Sequence, residues 1–466
     1  MRIAARLPHA AEPRRRTAPR IAYGAEAPAT ARGAAHEVEP TDGAAWARPV
    51  EVATVHALAW LGATAGLGLL LALLLLFPEA GRALGPLTYG RWVPLHLNLA
   101  LYGWLALPLV ALLFRAFLPP EGGARAAVAA VAAVDVWSAS LIAGAAAWVS
   151  GQSSGKAFLD WEGVARFAFL GNLLFLAGVL AAGLVRRARS GEPRAGRIGL
   201  WALWGALLAV PAALALATSA KTYPPINPAT GGPTGASLLG STLAVIAIFA
   251  GTPLLLGQKA APSGHRRAAF EVFGALAAHA VFLAAVGLGD RSHREPLQIA
   301  AVASLLVWAW LLPRWLSRFT WPAECRPWWL AFLAWGGALL ATAVPMFLPG
   351  LLDRIKFTNA LVGHAHLAMA GMATSFAALL LSVLNRGTRL AGVLGDRAAF
   401  VAWNAGNVVH VAALTAVGLL EAGDPGILFA GDPRIGALYA ARALAGAAMA
   451  WAAVRWLSGA FSRQAA

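Results

Sequence analysis

The chain has 466 residues, of which 59% are hydrophobic and 12% charged, with a mean hydropathy of +0.65 and a formal charge of +16. Soluble domains carry about twice that share of charge, so a soluble globular protein is excluded. The basic residues are scattered over short connections rather than gathered in one patch, which argues against a nucleic-acid surface.

Residues 1–48 are rich in Ala, Pro and Arg without apolar periodicity and read as a disordered basic extension. No apolar stretch follows Arg14, Arg15 and Arg16 as an export signal requires. Residues 49–466 read as one all-α, twelve-helix membrane domain. Apolar spans fall near 50–77, 92–117, 125–149, 163–185, 198–218, 236–257, 267–289, 297–316, 327–348, 358–384, 397–420 and 434–457. Each approaches the ~20 residues that cross a ~30 Å hydrocarbon core. Breakers such as Pro78, Pro119-Pro120, Pro224-Pro225, Pro296 and Pro425 punctuate the connections. With the N-terminus inside, the inner loops hold 16 Lys and Arg and the outer loops 10. That bias places both termini in the cytoplasm. The nineteen tryptophans, including Trp315 and Trp328-Trp329, are expected to form interfacial belts.

Cys325, the one cysteine, excludes an internal disulfide or a cysteine-based metal cluster. Attention therefore falls on the ten histidines, because an ionisable group within a bilayer is a functional hypothesis by default. His9 and His36 lie in the extension, and His265 falls in a basic loop where it is expected to be solvated. His96 sits about five residues into span two; His364 and His366 sit about seven and nine residues into span ten. Both spans enter from the same face, so all three lie roughly 8–13 Å deep at 1.5 Å per residue. His364 and His366 diverge by about 200° around their helix. They do not readily chelate one small ion, but each can ligate a flat cofactor on its own side. A low-spin haem needs an imidazole on each face, and His96 with His366 supply that pair. Small residues (Gly363, Ala365, Ala368, Ala370, Gly371) leave room for a macrocycle. Arg91, at the outer interface, suits a propionate or an interfacial helix end equally. Arg442, inside span twelve, needs an anionic partner or must snorkel. His56, His279 and His410 read as packing or hydrogen-bonded residues, the last two far from the shared depth.

The span-two histidine and the His-x-His of span ten, in Arg91–Phe114 and Thr358–Asn385, resemble subunit I of the haem-copper oxidase superfamily. The nearest branch is the cbb-type oxidases and their nitric oxide reductase relatives. That resemblance implies a low-spin b-type haem on His96 and His366, and a second haem on His364. It also implies a c-type cytochrome or another respiratory subunit as electron donor and a bacterial cytoplasmic membrane as location. Nothing in the resemblance implies a nucleic-acid partner.

Other parts of the family pattern are missing. The second metal takes three histidines from spans six and seven, and here those positions fall at Ser241 and Gly289-Asp290. None of Tyr23, Tyr89, Tyr102, Tyr223 and Tyr439 lies on spans six or seven, and Ala343 stands where the cbb branch carries an acid. Copper is not expected. The sequence thus points to respiratory electron transfer through haem iron. The alternatives are an oxidase or nitric oxide reductase with an unconventional second metal, for which Asp290 and His293 are conceivable ligands, and a non-redox haem sensor or carrier. A transporter is weaker, since no inverted repeat is evident.

Overall fold

The computed structural model describes residues 44–119, 123–190, 194–219, 221–222, 238–261, 264–286, 294–346, 348 and 350–465. The protein is an all-α polytopic membrane protein with twelve helices long and apolar enough to cross a bilayer. They are α1 (Ala47–Leu76), α2 (Tyr89–Phe117), α3 (Ala124–Ser150), α4 (Gly163–Arg189), α5 (Gly196–Ala217) and α6 (Leu238–Leu255). The second half comprises α7 (His265–Val286), α8 (Pro296–Leu316), α9 (Ala323–Met346), α10 (Asn359–Leu384), α11 (Arg397–Gly423) and α12 (Pro433–Gln464). Helix is the form that satisfies every backbone N–H and C=O within its own segment, as hydrocarbon demands. All but 44–48 of the expected basic extension lies outside the described residues, and α1 already begins at Ala47.

Two polar seams tie distant helices together. Asn385 at the end of α10 donates to Thr54 Oγ1 of α1 at 2.9 Å. Four residues on, the Arg389 backbone N–H donates to the buried Glu51 at 2.9 Å. Two tryptophans at span ends face the protein rather than its surface: Trp315 and Trp328 are buried and donate to the carbonyls of Ala250 and Leu394. An indole that seals a helix–helix seam satisfies its N–H on a free carbonyl, which an interfacial position would leave to water. His265 is likewise half-buried, its ring stacked 5.2 Å from that of Trp315 rather than solvated.

Candidate functional site

The two helices that carry the expected ligands are interrupted in the same way. Directly after the His96 turn, Leu99–Leu105 forms a π-helical segment, and directly after His366 so does Leu367–Ala373. Such widened turns concentrate at functional sites, and the backbone groups they free must find new partners. Here indoles take them. Trp137 donates to the Tyr102 carbonyl at 2.8 Å and Trp403 to the Ala370 carbonyl at 3.0 Å. Trp104 joins the two segments by donating to Thr374 Oγ1 at 2.9 Å, while that hydroxyl donates to the Met369 carbonyl. Each segment also carries a glycine pressed against a tryptophan. A Cβ on Gly103 would come 2.6 Å from Trp60 Cβ, and one on Gly371 would come 2.7 Å from Trp335 Cδ2.

Both imidazoles are locked in one tautomer. His96 Nδ1 donates to the Thr64 carbonyl of α1 at 3.0 Å, and His366 Nδ1 donates to the Val362 carbonyl one turn back at 2.8 Å. A carbonyl only accepts, so the proton is on Nδ1 and the Nε2 lone pair of each ring is available to a metal. Gly68 admits the His96 ring; a Cβ there would sit 2.9 Å from Cε1. The N-terminus of α10 is capped by Thr358 and by Glu421 of α11, which accepts from the Asn359 backbone and side chain.

The rings of His96 and His366 face one cavity with centroids 6.3 Å apart and planes inclined by 21°. A metal–imidazole bond of about 2.0–2.1 Å and the ~1.1 Å from ring centre to nitrogen, taken on both sides, span about 6.3 Å. The centroid separation is thus the one that two imidazoles sharing one iron would have. The cavity between them has a volume of about 100 Å³. Its walls are mostly apolar and small: Ala65, Gly68, Ala100, Ala365, Ala370 and Gly446. The residues present fit a flat macrocycle with two axial imidazoles.

A connection between α3 and α4, residues 151–162, reaches this cavity through one residue. Phe158 lines it in a left-handed conformation, φ 65°, rare for an aromatic residue. Its carbonyl accepts from Tyr102 of the first π segment at 2.9 Å. The buried Asp160 accepts from Ser153 Oγ at 2.6 Å and from Asn98 Nδ2 at 2.9 Å, the latter two residues beyond His96. Burial holds the Asp160 carboxyl above the usual carboxylate range, against the opposing pull of those hydrogen bonds. Lys156 is also buried and donates to the Ala217 and Ser219 carbonyls, anchoring the loop to the end of α5.

The other expected residues lie apart. His364 turns away from His366 and hydrogen-bonds Thr342 Oγ1 of α9 at 2.9 Å. Arg91 packs on Gly151 at the end of α3 and lines a shallow groove with Leu87 and Ile142, separate from the histidine cavity. Arg91 and His96 are five residues apart, about 140° around the helix, so the two cannot share a face. His56 pairs with Ser138 and Asp135, and His279 with the Ala275 carbonyl and Ser304, as packing roles imply. Ser241 is exposed and bonds only within its own turn, to the Leu238 carbonyl. Gly289-Asp290 and His293 lie outside the described residues. Among the described residues no group of three or more His, Cys, Asp or Glu is placed to hold a metal ion.

One residue joins the site against expectation. His410 of α11 lines the same cavity, its ring centroid 4.6 Å from that of His366. Counting depth from the helix end misplaced it, because α11 overhangs α10. Gly418 packs on Ala360 and Gly363 packs on Leu414 and Thr415, which brings mid-span His410 level with His366. The glycines at 363 and 418 were the available signal, as small residues mark close helix crossings in membranes. Arg442 is buried nearby on α12, with Nε and Nη1 unpartnered, within electrostatic range of His96, His366 and His410.

Comparison with protein-family models and with curated proteins finds no match for this chain.

Proposed function

We propose that this membrane protein binds a b-type haem between His96 and His366 and works as an electron-carrying respiratory subunit similar to subunit I of the haem-copper oxidases. The observation that carries the reading is the pair of Nδ1-anchored imidazoles, 6.3 Å apart across one cavity. Haem held by two histidines supplies reversible one-electron chemistry with no open coordination position. The chain's own contribution is to fix both rings by carbonyl acceptors, to hold helices α2 and α10 at the required spacing through the Trp104–Thr374 bond, and to exclude water with apolar walls. Loop 151–162 contributes Phe158 to the lining. The lack of any histidine in span six, where the resemblance requires one, favours electron transfer over oxygen or nitric oxide reduction.

In this reading the histidine-bearing end faces the outside of a bacterial cytoplasmic membrane, where a c-type cytochrome or another respiratory subunit delivers electrons, and both termini lie inside. His364 would hold a second haem on the α9 side of α10. A reduced-minus-oxidised difference spectrum of the purified chain tests the proposal. It should show the α-band of a low-spin b-type haem, and a featureless spectrum from well-folded protein contradicts it. His364→Ala should leave that band intact while removing any second haem.

A further inference from the structure

Among the described histidines within helix interiors, His410 is the one without a well-formed hydrogen bond. The five other histidines within helix interiors each hold a hydrogen bond: His56 to Ser138, His96 to Thr64, His279 to Ala275 and Ser304, His364 to Thr342, His366 to Val362. His410 is 6% exposed, yet neither Nδ1 nor Nε2 has a partner. The Arg442 backbone approaches the ring closely enough for at most a weak, poorly aligned contact. The Arg442 side chain offers only donors, and none reaches the ring. A neutral imidazole always carries one lone pair and one N–H, so burial without partners leaves both unsatisfied. No well-formed hydrogen bond holds its ring, and it borders the same cavity as His96 and His366.

We propose that His410 is an alternative axial ligand, able to take the place of His366 on the haem iron while His96 remains bound opposite. This rests on the haem reading above. Because the His410 ring is 4.6 Å from that of His366 and held by no well-formed hydrogen bond, it reaches the His366 side of the iron by a local ring movement. The exchange breaks the bond from iron to His366 Nε2 and forms one from iron to a His410 ring nitrogen. No electron moves and no proton is gained or lost: His366 keeps its Nδ1 proton on the Val362 carbonyl, and His410 keeps the proton on its other nitrogen. His96 has no such substitute. The chain thus holds two imidazoles for one coordination position, a means of giving one haem two ligation states.

The experiment is optical and electron paramagnetic resonance spectroscopy of the full haem-loaded chain in detergent, for wild type, His366→Leu, His410→Ala and the double variant, with haem content measured for each. His366→Leu roughly preserves side-chain volume, and His366→Ala read the same way guards against a packing defect in that variant. The expected result is that wild type, His410→Ala and the single His366 variants are six-coordinate and low-spin, while the double variant becomes five-coordinate and high-spin. The single His366 variants should also show shifted g-values relative to wild type. High-spin iron in both single His366 variants, in a preparation whose wild type is low-spin, overturns the role of His410 and leaves the haem reading intact. A double variant as low-spin as the single overturns it equally. A wild-type chain without haem removes both.

Discussion

The spans around the histidine cavity are built differently from those beside them. In the most apolar stretch of α2 56% of residues are buried within the protein, and in α10 61%; in α5 the share is 6% and in α7 11%. Apolar surface costs nothing against lipid, so a span can persist on hydropathy alone. The burial in α2 and α10 reflects a different demand. Their π segments free backbone carbonyls that hydrocarbon cannot satisfy, and Trp137, Trp403 and Thr374 are placed to accept that duty. One region is held together by specific hydrogen bonds and glycine–tryptophan contacts, the other by its solvent. Residues that matter for a bound cofactor should accordingly concentrate in the first region, although the family resemblance assigns its second metal to spans six and seven.

Substitutions sharpen that contrast. The largest effect is expected from His96→Ala, which should abolish the low-spin haem signal entirely, as read by the difference spectrum. Next comes Gly68→Ala: a Cβ 2.9 Å from His96 Cε1 must displace a ring that a flat cofactor also constrains. Overpacking of this kind costs typically ~1–3 kcal/mol, and a haem titration of the apo-chain should show affinity falling roughly tenfold or more. Trp104→Phe keeps the ring but removes the donor to Thr374, so thermal unfolding in detergent should register a loss of about 1 kcal/mol. Ser241→Ala, at an exposed position of α6, should change neither haem content nor unfolding midpoint. A loss of haem there would mean that the two regions are not functionally separate.

Loop 151–162 adds a pH dependence. Burial raises the folded-state affinity of Asp160 for its proton, so the folded chain binds that proton more tightly than the unfolded chain does. Stability therefore falls as pH rises from the ordinary carboxylate range through the elevated folded value. Asp160→Asn should flatten that slope in melting curves recorded across mildly acidic pH, and an unchanged slope would remove Asp160 as its source.

Much of this architecture is legible in the sequence because hydropathy and span length are local properties. Eleven of the twelve spans end within about four residues of the bounds read from apolar runs; α12 runs longer, to Gln464. His96 and His366 were legible because each is counted from the start of its own helix. His410 was not, because its level depends on how far α11 slides along α10, which the Gly418–Ala360 contact decides. The π segments were not legible either: their extra residue per turn depends on acceptor and donor groups from Trp137 and Trp403 on other helices. Arg91 lies in a groove of its own against Gly151, which five residues of sequence proximity to His96 did not foretell. Buried Trp315 and Trp328 look like interfacial residues until their acceptors on α6 and before α11 are known.

The most direct test of the haem site is quantification of haem by pyridine haemochrome in purified wild-type chain and in His96→Ala, with spin state recorded on the same samples. The account predicts at least one b-type haem per wild-type chain in a low-spin state, and no low-spin haem in the variant. Wild-type protein that folds with no haem, or a His96→Ala protein whose low-spin haem is undiminished, would contradict it.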